Sequence, residues 1–376
     1  MKKLWISLIV LTSLLVLCSS VRACNIFKTK FSKGESAATK QEVTKNQQDV
    51  DLTGIAVLPT MNAESDVPNR IWVGTFQLVW NDAIDSLVKK PIEFVEGYNQ
   101  TAADLNKREI NKEDISEDSY YIKSGIISPE LKTTIEKGIK EKFNETSDIL
   151  NMIDFSYNPE KYLFYAMLKK DFKFLEPFDK LGDEQFAANP TPVKYFGVNE
   201  DSDSKLYKNV SVLFYNTHKD YAVSIHTKGN DEVILYRTND DKKFNEYYAD
   251  LKDKTKDFEG SQFFGSSDRL KVPDIKLYQI TSFTELEGKN VVDSNLRIDK
   301  TLETVDFRMN NEGVKLKSEA LMVMRCTAMP GPPPMIRKFY FNDKFVLFLI
   351  EKGKTVPYFA MRVSDVEALN KTGKQD

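Results

Sequence analysis

Hydrophobic and polar positions divide the chain into three regimes. Leu4 to Leu17 is an almost unbroken apolar run behind Lys2 and Lys3, and Ser19 and Ser20 close it. Asn25 to Val50 is dominated by Lys, Ser, Thr, Gln and Glu, with few side chains able to pack. From Leu52 onward, apolar clusters recur at short intervals to the end without an internal repeat. The boundaries this implies are a signal peptide over 1–23, a flexible tether over 24–51, one folded domain over 52–370 and a tail over 371–376.

Within the folded part the apolar period changes along the chain. Phe76 to Val88 (FQLVWNDAIDSLV) spaces its apolar residues three and four apart, which predicts a helix. Ser128-Pro129 opens a second helix reaching about Phe143, since proline suits the first helical turn. Later segments alternate or run apolar with β-branched and aromatic residues. Val210 to Tyr215, Tyr221 to Ile225 and Glu232 to Tyr236 are predicted strands, with Lys228-Gly229-Asn230 as a turn between the last two. Phe345 to Ile350 (FVLFLI) is continuously apolar, as expected of a strand covered on both faces, and Lys352-Gly353-Lys354 is a turn before its partner. The fold class is α+β, with helices mainly in the N-terminal half.

Charge and cysteine content narrow the picture further. Lys and Arg total 53 against 56 Asp and Glu, with both signs scattered, so nothing marks an electrostatic nucleic-acid binder. The first apolar run falls short of the roughly 20 residues that cross a bilayer, so a leader is expected rather than a permanent membrane helix. Val21-Arg22-Ala23-Cys24 places a small residue before a cysteine, as bacterial lipoprotein signals do, although Arg22 fits that pattern poorly. The expectation is cleavage after Ala23 with lipid on Cys24, plain cleavage at the same bond being the alternative. Either product is exported, and its only expected contact with a membrane is that anchor. Of the three cysteines, removal of Cys18 with the leader and lipidation of Cys24 would leave Cys326 alone, so stability must come from a core.

Sites of enzyme chemistry do not stand out. His218 and His226, the two histidines, fall at strand-like positions without the cysteine or carboxylate neighbours of a metal site. No glycine-rich phosphate loop, nucleophile elbow or paired-histidine metalloprotease motif occurs, and Asp240-Asp241 reads as turn-capping. No metal, cofactor or catalytic residue is assigned, and a monomer is expected.

Several weak motifs in order carry a resemblance to the serpin family of protease inhibitors. Tyr162 to Phe178 (YLFYAMLKKDFKFLEPF) resembles that family's long sheet strand ending in an aromatic turn and Pro-Phe, with Phe174 where the family usually has Trp. Lys228 to Asp240 is similar to its strand pair with a glycine turn, and Leu270 to Leu277 (LKVPDIKL) to its Leu-Pro strand. Leu296 to Gly313 resembles the strand leading to the reactive loop, ending in Glu312-Gly313 as the family's Glu-Gly hinge. Phe341 to Ile350 and Tyr358 to Val363 (YFAMRV) resemble the closing buried hairpin. The resemblance covers about residues 120–365. It implies a large mixed sheet with smaller sheets, a non-enzymatic protein, and a serine or cysteine protease as partner.

Two departures bear on how such a protein would work. Only Ser156 to Lys161 separate Ile153-Asp154-Phe155 from the long strand, so the helix that covers the family's main sheet is expected to be missing. Ala166 and Glu303 stand where inhibitory serpins usually have Asn and His, and the N-terminal Ser-Pro motif of that cluster is not recognisable.

The resemblance makes 314–338 the reactive-loop candidate. Strand parity would put Val314, Leu316, Ser318, Ala320, Met322 and Met324 on one face, with Lys315, Lys317 and Glu319 on the other. Such a segment is able to become a sheet strand, either after cleavage or in the resting protein. Arg325 before Cys326 suggests a trypsin-like target, counting from the hinge points near Thr327, and Met324 or Met329 would suit other proteases. Pro330 to Pro334 (PGPPP) stiffens the far side as a spacer. Cys326 beside a cation reads as incidental more readily than as a reactive thiol. The alternative is a non-inhibitory surface protein of the same fold that binds a protein or small ligand.

Overall fold

A computed structural model describes residues 54–316 and 336–374; the expected leader, the tether and Cys24 lie outside the described residues. The described chain falls in one compact unit. Its largest sheet has seven strands in the order β1 (Ile55–Leu58), β2 (Asn69–Val73), β17 (Phe359–Val363), β16 (Phe345–Glu351), β10 (Asp231–Arg237), β9 (Asp220–His226) and β8 (Val210–Thr217). β1 and β2 run parallel and the other neighbours antiparallel, so the sheet is mixed. β16 and β17 are central, which explains their composition: every residue in both is buried.

A second sheet holds β15 (Lys338–Tyr340), β11 (Arg269–Pro273), β7 (Pro192–Val198) and β6 (Asp179–Gln185). A third holds β12 (Ile275–Thr281), β13 (Glu303–Asn310), β14 (Gly313–Leu316) and β5 (Lys170–Lys173), all antiparallel. β3 (Tyr120–Ile127) and β4 (Asn158–Leu168) form an antiparallel pair, and β4 leads into β5. Phe307 of β13 stacks on Phe359 of β17 at 5.0 Å, joining the third sheet to the first.

The helices are α1 (Thr75–Ala83), α2 (Gln100–Leu105), α3 (Pro129–Phe143), α4 (Phe244–Asp257) and α5 (Val366–Thr372). A π turn, Ile84–Val88, continues α1, so the helix predicted over 76–88 is present with a widened last turn. α3 starts as its sequence dictates, with Ser128 accepting from the Leu131 amide and Pro129 in the first turn. The predicted strands at 210–215, 221–225 and 232–236 are β8, β9 and β10. His218 differs from its expected strand position: it lies in the turn between β8 and β9, where a tight reversal takes two residues.

No α-helix lies between α3 and β4, where only a 3-10 turn at Leu150–Met152 occurs. The outward side of β3 and β4 is nevertheless not bare. Leu131, Ile135 and Ile139 of α3 pack with Tyr165 and Leu163 of β4 in a small second core. Ala166, on the opposite face of β4, belongs to the main core with α1 and the large sheet.

Candidate functional site

The hinge stretch is already a sheet strand. β14 lies between β13 and β5, with Val314 opposite Met309 on one side and Phe172 on the other. Lys315 faces Arg308 and Asp171, and Leu316 faces Lys170. Period-two alternation then separates the side chains: Val314 and Leu316 are buried, while Lys315 is exposed. The outward row borders a shallow cleft of about 190 Å³ lined by Asp171, Lys173, Arg308, Glu312 and Lys315.

Gly313 is dictated by its neighbours. A Cβ there would sit 2.1 Å from the Phe172 carbonyl oxygen, so only glycine lets β14 approach β5 this closely. Beside it Glu312 pairs with Lys173 at 2.7 Å, and that lysine holds the Glu312 carboxyl below its usual range. Both side chains are exposed, so the pair aligns the hinge more than it stabilises it.

Past Leu316 no described strand joins β13 to β4. Residues 303–307 of β13 pair only with β12, and β4 pairs only with β3. Glu303 is the first residue of β13. Its side chain is buried at the first turn of α1, where Oε1 accepts from the Phe76 amide at 3.2 Å and Oε2 has no partner among the described residues. Burial pushes its pKa up to about 8, with the Phe76 hydrogen bond pulling the other way.

Beneath β5 is a buried ionic cluster that the sequence did not announce. Lys170 Nζ lies 2.5 Å from Glu351 at the end of β16 and 2.8 Å from Asp231 at the start of β10. Tyr358 OH donates to Asp231 at 2.8 Å, and Ser116 donates to Glu351 through both its amide and its hydroxyl. Burial raises the Glu351 pKa, but Lys170 and Ser116 outweigh it and hold the carboxyl below its usual range. The cluster's only sequence signals are a glutamate terminating an apolar run and a lysine inside Lys169-Lys170-Asp171, and neither names a buried partner.

Of the residues assigned from sequence, Glu312, Gly313, Val314 and Leu316 meet in this hinge, and the loop candidate 314–338 begins and ends in strands β14 and β15. Ser318, Ala320, Met322, Met324, Arg325, Cys326, Thr327 and Met329 lie outside the described residues. Phe174 is fully buried against Phe178 and Phe196, with centroids 5.1 and 5.9 Å away. Asp240 and Asp241 form ion pairs with Lys242 and with Arg70 and Arg362. Among the described residues no cluster of His, Cys, Asp and Glu could hold a metal, and no helix is long and apolar enough to cross a membrane.

No family model and no curated protein matches this chain. Several solved structures are similar to it. Thyroxine-binding globulin in complex with thyroxine is 11% identical, with 79% of this chain and 93% of that chain covered and a TM-score of 0.45. Serpin48 of the insect Tenebrio molitor is 13% identical, with 78% and 96% covered and a TM-score of 0.40. The mouse protein-Z dependent protease inhibitor is 15% identical, with 63% of each chain covered and a TM-score of 0.40.

Proposed function

We propose that this chain is a divergent serpin-like protein, exported and held to a surface by lipid on Cys24, that engages a serine or cysteine protease through the segment joining β14 to β15. The observation that carries this reading is β14 itself. The first residues after the hinge occupy a lane between β13 and β5, with an apolar row inward and Lys315 outward. The same register, carried on, would set Ser318 against Leu168 and Val305, and Ala320 against Ala166 and Glu303. A cut after Arg325 would free this segment to extend β14. The acylated protease would then be drawn along, driven by completion of the sheet.

Limited trypsin digestion followed by a melting scan tests the insertion. Burying the apolar row of one strand releases several kcal/mol, so a single cut between 317 and 335 should raise Tm on the order of 10 °C. An SDS-stable adduct with the protease should accompany it. An unchanged Tm and no adduct would overturn the inhibitory reading in favour of a non-inhibitory binding module of the same fold. The anchor is tested separately by growing a bacterial host expressing the full chain with labelled palmitate. Label should enter the protein and vanish in Cys24→Ser; label retained by that variant would reject lipidation at Cys24.

A further inference from the structure

Three adjacent strands at one end of the large sheet place a hydroxyl, an imidazole and a carboxylate on one face. Ser211 of β8 lies opposite Ser224 of β9, and His226, two residues further along β9, lies opposite Glu232 of β10. Residues paired across strands or two apart share a face, so all four side chains project to the same side. Ser211 Oγ is 2.7 Å from His226 Nε2, and His226 Nδ1 is 3.9 Å from Glu232 Oε1.

The charge state of the imidazole suits this order. Burial lowers the His226 pKa below the ordinary imidazole value, Glu232 opposes that, and Lys352 after β16 adds to it. From α4, Tyr248 faces the same carboxylate. His226 is therefore neutral at pH 7. With its proton on Nδ1 toward Glu232, Nε2 is left to accept from Ser211, which is the tautomer a general base needs.

Two further observations point to a ligand. Ser224 Oγ is buried and has no hydrogen-bond partner among the described residues. Such a group is costly to leave unpaired, and an incoming carbonyl oxygen would satisfy it. Phe263, bridged through its backbone to Ser211, is 63% exposed and offers an apolar wall beside the hydroxyl. The side chains of His226 and Glu232 are 27% and 29% exposed, so the face is reachable.

We propose that Ser211, His226 and Glu232 form an acylatable serine site that reacts with activated esters of small apolar acyl groups, with Ser224 Oγ donating to the carbonyl and Phe263 flanking the acyl chain. Ser211 Oγ adds to the ester carbon while its proton passes to His226 Nε2. The bond to the leaving alcohol then breaks and that oxygen takes the proton. Water reverses the sequence: it adds to the acyl carbon, its proton moves through His226 to Ser211 Oγ, and the acid departs. Glu232 is a positioning residue, reaching Nδ1 through a closer rotamer or one water. A single hydroxyl donor is a sparse oxyanion site, which restricts turnover to esters with good leaving groups. The site uses no residue of β14 and stands independently of the protease reading.

The test uses the full chain with a fluorophosphonate probe and with p-nitrophenyl acetate. The expected result is one adduct on the Ser211 peptide, a burst of p-nitrophenol, and loss of both when the protein is unfolded in urea or carries Ser211→Ala. His226→Gln should slow labelling ~100-fold or more, and Ser224→Ala roughly tenfold or more, with Tm held as the control for folding. Labelling should rise with pH through the His226 titration, and Glu232→Gln should move that midpoint downward, since the carboxylate favours the imidazolium. No adduct on the native protein, or equal labelling of Ser211→Ala, would overturn the proposal. An unmoved midpoint in Glu232→Gln would remove Glu232 from it.

Discussion

Glu303 shows how one substituted position reshapes a site. The sequence marks it as a carboxyl where the resemblance implies an imidazole, but not its surroundings. The structure supplies them: a buried position, one amide donor from α1 and a second oxygen with no partner among the described residues. The carboxyl is protonated when folded below about pH 8, whereas in the unfolded chain it ionises near pH 4.5. Over that window the unfolded state binds fewer protons, so stability is full below the unfolded value and declines as pH rises through the folded one. A shift of this size amounts to on the order of 5 kcal/mol. Glu303→Gln keeps the shape without the ionisation. In urea titrations at pH 5, 7 and 9 it should flatten this part of the pH dependence and exceed the parent at pH 9. Parallel profiles would mean that Glu303 is not held neutral.

Among the elements, β14 depends on a missing side chain, as β7 does at Gly197 beside Leu270 of β11. Alternation in Val314-Lys315-Leu316 was legible as an amphipathic strand, yet nothing local named its neighbours, because the pairing with β5 joins residues 139 apart at the Lys173–Glu312 contact. Gly313→Val would press on the Phe172 carbonyl and push β14 off β5. Amide exchange over 313–316 should accelerate tenfold or more, about 1.4 kcal/mol of local opening, while the large sheet stays protected. Unchanged exchange would show that β5 yields instead. Other elements divide along the same line. FVLFLI and Ser128-Pro129 declared themselves through composition and capping. β6 (DKLGDEQ) did not, since an edge strand with nearly every residue exposed carries no apolar period.

At the scale of the whole molecule, the ordering of strands was beyond a reading of local pattern. Lys170 meets Glu351 across 181 positions, and β2 receives β17 as its neighbour although they stand near opposite ends of the described chain. Motif order pointed to an α+β body with a large mixed sheet and to the two hairpin pairings, β9 with β10 and β16 with β17; the pairings between distant strands came only from the structure. Asn69 Oδ1 accepts from the Asp365 amide across 296 positions, stitching the rim of that sheet shut.

This last arrangement has a bearing on time as well as space. During synthesis, β2 emerges well before β17 and must wait, its backbone unsatisfied on one side, until residues 359–363 leave the ribosome and slide in beside it. Such a chain cannot mature from its amino end in stages, and contacts this distant slow productive collapse. Nascent molecules would therefore remain unfinished, and open to chaperones or a translocation machine, until β17 has been made.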